Sequence, residues 1–373
     1  MSKRELLKSA KTWVIKVGSS LVTDNGKGLN REAIASWVEQ IIELQKQGIS
    51  VVLVSSGAVA EGVARLGLPG RPTAIHEQQA AAAVGQMGLI EAYERCFSAF
   101  NKHTAQVLLT HDDLSNRTRY LNARSTLNSL LRMGVTPIIN ENDTVVTEEI
   151  CFGDNDTLGG LVANLINAQV LVIMTDQDGF YDADPRANAQ AQLIREAKSN
   201  DNSLLQHVGD SGLLGKGGML TKLKAAKLAA RSGTLTAIVN GSHNGILLEL
   251  LQGKEVGSLL LPDEQPIAAR KQWLASHLKI CGKLVLDDGA VNVLETSGRS
   301  LLPVGIKSVE GDFLRGEMVA CVDSNAKTIA RGLVNYDASE ARQIISKSSD
   351  QILSILGYDG DHEMIHRDNL VLL

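Results

Sequence analysis

One pattern recurs along the first two-thirds of the chain and decides what it can fold into. A short apolar run stops abruptly at small or polar residues. Trp13 to Val17 stops at Gly18-Ser19-Ser20, and Ser50 to Val54 at Ser55-Ser56-Gly57-Ala58. Ala105 to Leu109 stops at Thr110-His111-Asp112-Asp113, and Val135 to Ile139 at Asn140-Glu141-Asn142-Asp143. Val170 to Met174 stops at Thr175-Asp176, and Thr234 to Val239 at Asn240-Gly241-Ser242. Runs of this length and apolarity read as buried strands. Between them the apolar spacing becomes helical, as in Ile34, Val38, Ile41, Ile42 and Leu44, closed by Gly48. The segments His76 to Phe97, Arg117 to Met133, Leu158 to Ala168 and Leu220 to Arg231 read the same way. Strands that alternate with helices predict βαβ units and a mainly parallel sheet between helices.

In such a sheet, ligands bind beyond the carboxyl ends of the strands, where this sequence concentrates its chemistry. The richest stretch is Ile139 to Gly160. Asn140, Glu141, Asn142 and Asp143 end a strand, and a return segment, Val145 to Phe152, leads to Asp154, Asn155 and Asp156. Asp156 and Thr157 then open the helical pattern of Leu158, Leu161, Val162, Leu165 and Ile166. Either cluster alone is accounted for by loop acids and a helix cap. Together they also suit an ammonium group and a metal. Lys16 lies inside an apolar strand, where a charge is costly unless it meets an anion or snorkels out at the strand end. Gly212 to Lys222 reads G-L-L-G-K-G-G-M-L-T-K and runs into a helix. That is a surface loop or an anion site, and it has neither Walker A nor G-x-G-x-x-G spacing. His76-Glu77-Gln78-Gln79 begins like a zinc-protease helix, but Ala80 stands where the second histidine is needed.

Length and composition set the outer bounds. At 373 residues the chain suits two domains. Apolar content of 44% and charged content of 21% are those of an ordinary globular protein, and a net charge of −5 argues against nucleic acid as the main partner. Cys96, Cys151, Cys281 and Cys321 are far apart with no C-x-x-C pair, which fits reduced thiols in a cytoplasmic protein. No secretion signal and no membrane-spanning run is read from the chain.

Beyond Asp263 the pattern changes. Residues 263–279 read as a linker with a helix, between a first domain of 1–262 and a second of 280–373. Gly282 to Leu286, Ala290 to Leu294, Glu317 to Val322 and Thr328 to Gly332 read as short strands set between Asp, Gly and Ser turns, predicting a small β-barrel.

Six segments in order resemble the amino acid kinase family. They are VIKVGSSLV (Val14 to Val22), VVLVSSGAVAEG (Val51 to Gly62), PIINENDTV (Pro137 to Val145), FGDNDTL (Phe152 to Leu158), TDQDGFYDADPR (Thr175 to Arg186) and GKGGMLTKLKAA (Gly215 to Ala226). The resemblance implies a three-layer αβα fold with ATP and an acceptor carboxylate across the carboxyl edge of its sheet. It implies that Lys16 and Lys222 hold the transferring phosphoryl group and that Asp156 organises the lysines or a magnesium ion. It places an amino-acid substrate on Ser56, Asp143 and Asn155, with Asn140 and Asp154 nearby. It places ATP on Lys16, Gly18, Thr175, Asp176 and the loop Lys216, Gly217, Gly218, Met219, Leu220, Thr221 and Lys222. Lys216 departs from the small residue usual there. The Ser300 to Cys321 segment resembles the PUA domain, an RNA-associated fold.

Within the family, N-E-N-D together with G-D-N-D and the PUA-like tail point to the γ-carboxylate of L-glutamate as acceptor. A free α-ammonium calls for acids, whereas an N-acetyl group does not. The rivals are kinases for acetylglutamate or aspartate, and, from another class, an RNA-binding regulator using the tail. No basic stripe is evident in the tail, which ranks RNA below a stabilising or regulatory role. The resemblance further implies ATP with Mg²⁺, feedback inhibition by proline, a homodimer or homotetramer, and transfer of the product to glutamyl phosphate reductase.

Overall fold

The computed structural model describes residues 3–23, 28–146, 155–207, 218–262, 280–297, 299–358 and 360–373. The chain divides into two compact units, Met1–Leu114 with Ala123–Pro266, and Ile267–Leu373 with Ser115–Asn122. The expected linker at 263–279 lies outside the described residues.

The first unit is built on an eight-stranded sheet. Its strands are β1 (Thr12–Val17), β2 (Ser50–Ser55), β3 (Thr104–Leu109), β4 (Thr136–Glu141), β5 (Val170–Thr175), β6 (Glu196–Lys198), β7 (Leu235–Asn240) and β8 (Ser258–Leu261). They lie in the order β3-β4-β2-β1-β5-β7-β8-β6, and every neighbouring pair is parallel except β7 with β8. The apolar runs therefore do form a mainly parallel sheet. The chain fills one side of β1 with β2, β4 and β3, and the other with β5 and β7. The reversal falls between β1 and β5, the place where an open α/β sheet leaves a crevice at its carboxyl edge.

Side chains alternate across β1, and this separates core from chemistry. Trp13, Ile15 and Val17 are buried in the core that includes Trp37 and Ile41 of the Arg31–Lys46 helix and Leu89 and Tyr93 of the Ile75–Ser98 helix. Lys16 faces the other way, beneath the Asn155–Ile166 helix, where a Cβ added to Gly159 would lie 3.4 Å from the Lys16 Cβ. Gly160 brings that helix equally close to the Met219–Ala230 helix. A Cβ there would stand 2.7 Å from the Ala225 carbonyl oxygen. Helices cover both faces, as a three-layer αβα fold requires.

The boundaries differ from the sequence reading in a few places. The polar end of β3 turns directly into a helix, His111–Ser115, because Asp113 accepts from the Thr110 N–H and hydroxyl (2.9 and 2.7 Å). The stretch after Ala187, where no apolar run marks a strand, supplies the edge strand β6, and β8 enters antiparallel beside β7.

The second unit holds a five-stranded mixed sheet in the order β10-β9-β11-β12-β13. Its strands are β9 (Ile280–Leu286), β10 (Ile306–Gly311), β11 (Met318–Val322), β12 (Thr328–Leu333) and β13 (Leu370–Leu372). One expected strand is a helix. Ala290 to Leu294 falls within Asp288–Ser297, whose start is fixed by Asp287 accepting from the Ala290 N–H at 2.6 Å. That cap outweighs the short apolar run. Cys96, Cys281 and Cys321 form no disulfide among the described residues. Among the described residues no helix is long and apolar enough to cross a membrane.

Candidate active site

The carboxyl ends of β1, β2, β4 and β5 gather most of the residues singled out from the sequence. At the centre is Asp156, in the first turn of the Asn155–Ile166 helix and 1% exposed. Lys16 Nζ lies 2.7 Å from its Oδ1, and Lys222 Nζ lies 3.0 Å from its Oδ2. The Thr221 hydroxyl donates to Oδ2 at 2.6 Å. Both lysines are buried. Burial by itself would raise the Asp156 carboxyl. The adjacent charges of Lys16 and Lys222, with hydrogen bonds from Lys16 and Thr221, more than offset it and hold the group well below the usual carboxylate range. The carboxylate is therefore fixed as an anion between two cations, and the three groups together carry a net positive charge.

This triad depends on the two glycines of the 155–166 helix. Without side chains at 159 and 160 the helix lies against β1 and against the helix that bears Lys222. The start of the latter helix is tightened by Gly218, whose carbonyl accepts from the Thr221 N–H (3.2 Å). Gly18 follows β1, and its N–H donates to the Met174 carbonyl at 3.3 Å, tying the ends of β1 and β5 together. Gly57, after β2, has φ 106°, a conformation that favours glycine, and opens the Ala58–Arg65 helix.

Next to the triad runs a chain of neutral groups. Asn155 Nδ2 donates to Ser56 Oγ (2.7 Å) and to Asn140 Oδ1 (2.9 Å), and Asn140 Nδ2 donates to Gln86 Oε1 (2.8 Å). Gln86 also lines a hollow of about 180 Å³ with Glu141, Asp143, Thr144 and Gln106. Asp143 there is pushed up to about 6, chiefly by burial and then by the charge of Glu141, with Arg71 pulling the other way. Thus Lys16, Asp156 and Lys222 form one ion-paired cluster. Ser56, Asn155, Asn140 and Gln86 form a hydrogen-bonded chain that adjoins it where Asn155 precedes Asp156, and Asp143 belongs to the hollow at the far end of that chain.

Thr175 and Asp176 stand at the end of β5, away from this network in bonding. The Thr175 hydroxyl donates to Asp176 Oδ1 at 3.1 Å, and Asp176 is exposed. Met219 and Leu220, at the start of the Lys222 helix, are half-buried. Asp154, Lys216 and Gly217 lie outside the described residues. Gln86 and Glu141 are the members of the site that the sequence reading did not select as site residues. Glu141 was visible in the N-E-N-D run, whereas Gln86 carried no signal inside an Ala- and Gln-rich helix.

Asp156 spends both oxygens on Lys16, Lys222 and Thr221. Among the described residues no group of three His, Cys, Asp or Glu is placed to hold a metal. These residues fit a magnesium ion that arrives on nucleotide phosphates, the usual way that ion is bound.

A parallel sheet with two lysines converging at its carboxyl edge is the architecture of a class, and the sequence profile described as "Amino acid kinase family" matches residues 11–240. A second profile, "PUA domain", matches residues 282–356. The chain is 58% identical over 370 residues to the "Glutamate 5-kinase" of Chromohalobacter salexigens, covering 99% of this chain and 98% of that one. It is 58% identical over 371 residues to the "Glutamate 5-kinase" of Pseudomonas fluorescens, covering 99% and 100%. The same figure holds over 361 residues for the "Glutamate 5-kinase" of Alcanivorax borkumensis, covering 97% and 96%. The chain belongs to the amino acid kinase family, in its glutamate 5-kinase branch.

Proposed function

We propose that the chain transfers the γ-phosphoryl group of ATP to the γ-carboxylate of L-glutamate, giving L-glutamyl 5-phosphate and ADP, the first step toward proline. The observation that carries this reading is Asp156 clamped between Lys16 and Lys222 at the carboxyl edge of the sheet. The names of its relatives support the choice of substrate.

The acceptor is a carboxylate with a reference pKa of about 4.3, so it is ionised at neutral pH and needs no general base. The obstacle is the approach of one anion to another. Phosphoryl transfer is mostly positioning plus neutralisation of charge on the transferring group. Lys16 and Lys222 supply that neutralisation, and Asp156 holds both ammonium groups in place. Magnesium on the nucleotide phosphates adds further positive charge when bound. The substrate's α-ammonium is received by Asp143 with Glu141 beside it, while Ser56, Asn140 and Asn155 orient its polar groups and Asp154 stands nearby. Thr175, Asp176, Gly18 and the loop from Lys216 to Lys222 hold the nucleotide. Proline, also an α-amino acid, inhibits by competing for the Asp143 end. The chain works as a homodimer or homotetramer in the cytoplasm and passes its unstable product to a reductase. The second unit stabilises or regulates and is not primarily an RNA reader.

The test is ADP release from ATP and Mg²⁺ with L-glutamate, N-acetylglutamate and L-aspartate in parallel, each with and without proline. Hydroxylamine traps any acyl phosphate as a hydroxamate. Turnover with glutamate alone, suppressed by proline, is expected. Turnover with another acceptor would refute the substrate assignment. Silence with all three in a folded protein would refute the kinase reading.

A further inference from the structure

Gln86 lies in the middle of the Ile75–Ser98 helix and is 8% exposed. It is the last link of the chain Ser56–Asn155–Asn140–Gln86, and two atoms of that chain are buried without a hydrogen-bond partner, Gln86 Nε2 and Asn155 Oδ1. An orphaned buried polar atom is costly, so two in one network call for an explanation.

The chain has a polarity. Each primary amide has one accepting and one donating end, and the end used on one side decides the end presented on the other. As found, Gln86 Oε1 accepts from Asn140, which turns Asn140 Oδ1 toward Asn155. Asn155 must then donate through Nδ2 to both Asn140 and Ser56. Ser56 Oγ is thereby an acceptor within the chain and keeps its own hydroxyl proton to donate elsewhere. Reversing all three amides makes the same number of bonds, but Ser56 would then spend its proton on Asn155 Oδ1. The two polarities differ in one respect that matters to a ligand, namely whether Ser56 can donate to an anion.

We propose that Gln86 is a specificity-determining positioning residue: through Asn140 and Asn155 it completes the polarity of this relay in which Ser56 donates its hydroxyl proton to a carboxylate of the amino-acid substrate. This inference rests on the glutamate reading above. A carboxylate arriving at Ser56 selects the productive polarity, and Gln86 supplies the acceptor that this polarity needs at the far end of the relay. Gln86 touches no reacting atom in this scheme. Its effect falls on amino-acid binding rather than on the phosphoryl group, which Lys16 and Lys222 hold.

The test is a double-mutant cycle on steady-state kinetics with Gln86→Met, Ser56→Ala and the double variant, varying L-glutamate and ATP separately. Gln86→Met is expected to raise the glutamate KM by about tenfold or more, as when a buried hydrogen-bonding partner is removed, while the ATP KM stays unchanged and kcat moves less than KM. The double variant is expected to bind glutamate no worse than Ser56→Ala alone, since without a hydroxyl the polarity has nothing to set. Gln86→Glu retains the acceptor and is expected to keep the glutamate KM within a few-fold of the original. An unchanged KM in Gln86→Met, additive effects in the cycle, or a parallel rise in the ATP KM would overturn the proposal while leaving the glutamate reading intact. If the unaltered protein turns over a different acceptor, both fall together.

Discussion

Replacing Asp143 by Asn separates the stability of this fold from its binding chemistry. Asp143 is 9% exposed, and its carboxyl is pushed from 3.8 up to about 6, first by burial and then by the neighbouring Glu141 charge, against a smaller pull from Arg71. The sign follows directly. The folded protein keeps this proton up to about pH 6, whereas the unfolded chain releases it near 3.8, so folding takes up a proton in between. The group's contribution is therefore complete below about pH 4 and is lost as the pH rises through about 6. Two pKa units at about 1.4 kcal/mol each put the cost of the ionised Asp143 near 3 kcal/mol at pH 7.5, against about 1 kcal/mol at pH 4.5. Asparagine keeps the shape and has no charge to bury. Urea unfolding of the ligand-free protein, followed by circular dichroism at both pH values, reads the difference. Asp143→Asn is expected to gain about 2 kcal/mol more over the original protein at pH 7.5 than at pH 4.5, the acid value cancelling the effects of the amide itself. The same variant is expected to lose glutamate binding, and the glutamate KM of the original protein is expected to fall as the pH rises from 5 to 7. A stability gain that is equal at the two pH values, or a loss only at pH 7.5, would refute the reasoning.

Other outcomes follow from the same geometry. Lys16→Ala and Lys222→Ala are each expected to cut kcat by about a hundredfold or more through lost electrostatic stabilisation, and near-full turnover in either would remove the role assigned to it. Asp156→Asn removes the carboxylate that two buried lysines share and is expected to destabilise by about 3–5 kcal/mol in a denaturant titration, where a neutral result would show that the triad is not a coupled unit. Gly160→Ala should gain about 1 kcal/mol by helix propensity alone, yet the Cβ would stand 2.7 Å from the Ala225 carbonyl oxygen, so a lowered Tm is expected and a raised one would exclude tight helix contact. Arg4 is 4% exposed and donates to the carbonyls of Lys254, Val256, Arg195 and Gly257, so Arg4→Ala is expected to cost about 3 kcal/mol or more with kcat unchanged.

What was legible in the sequence was whatever depends on neighbours along the chain. Val170 to Met174 can only be a buried strand, and Asp156 before Leu158 can only open a helix, because burial and capping are local. The sheet's carboxyl edge followed once strands alternated with helices, and with it the convergence of Lys16, Ser56, Asn140 and Asp156. Short elements were less legible. Ser258–Leu261 and Leu370–Leu372 are too brief for a period, and Ala290 to Leu294 has the apolar run of a strand although Asp287 caps it as a helix. Gln86 was illegible for a different reason. Its partner Asn140 is 54 residues away, and nothing in a helix rich in Ala and Gln marks one glutamine above Gln78 or Gln79. Pairings across such distances are made by the topology, and a single sequence carries no local trace of them.

The charge layout also bears on why an amino acid of one particular length suits this site. Acid is concentrated at the Glu141 and Asp143 end, and net positive charge at the Lys16, Asp156 and Lys222 end. Neutral amides alone join the two through Asn140 and Asn155. A ligand with an ammonium at one end and a carboxylate at the other is aligned by that gradient before any shape is read, and the low dielectric of a buried edge strengthens the alignment. Aspartate carries the same charges on a chain one methylene shorter, so with its ammonium in the acid hollow its carboxylate stops short of the lysines. N-acetylation removes the cation and with it the ligand's counter-charge to the buried Asp143. Discrimination against the two rivals therefore has two separate physical origins, reach and charge. Asp143→Asn should relax the second and leave the first. Parallel kcat/KM values for glutamate, aspartate and N-acetylglutamate on that variant are expected to show the gap to N-acetylglutamate narrowing while the gap to aspartate persists, and a common loss of both would mean that the hollow reads shape rather than charge.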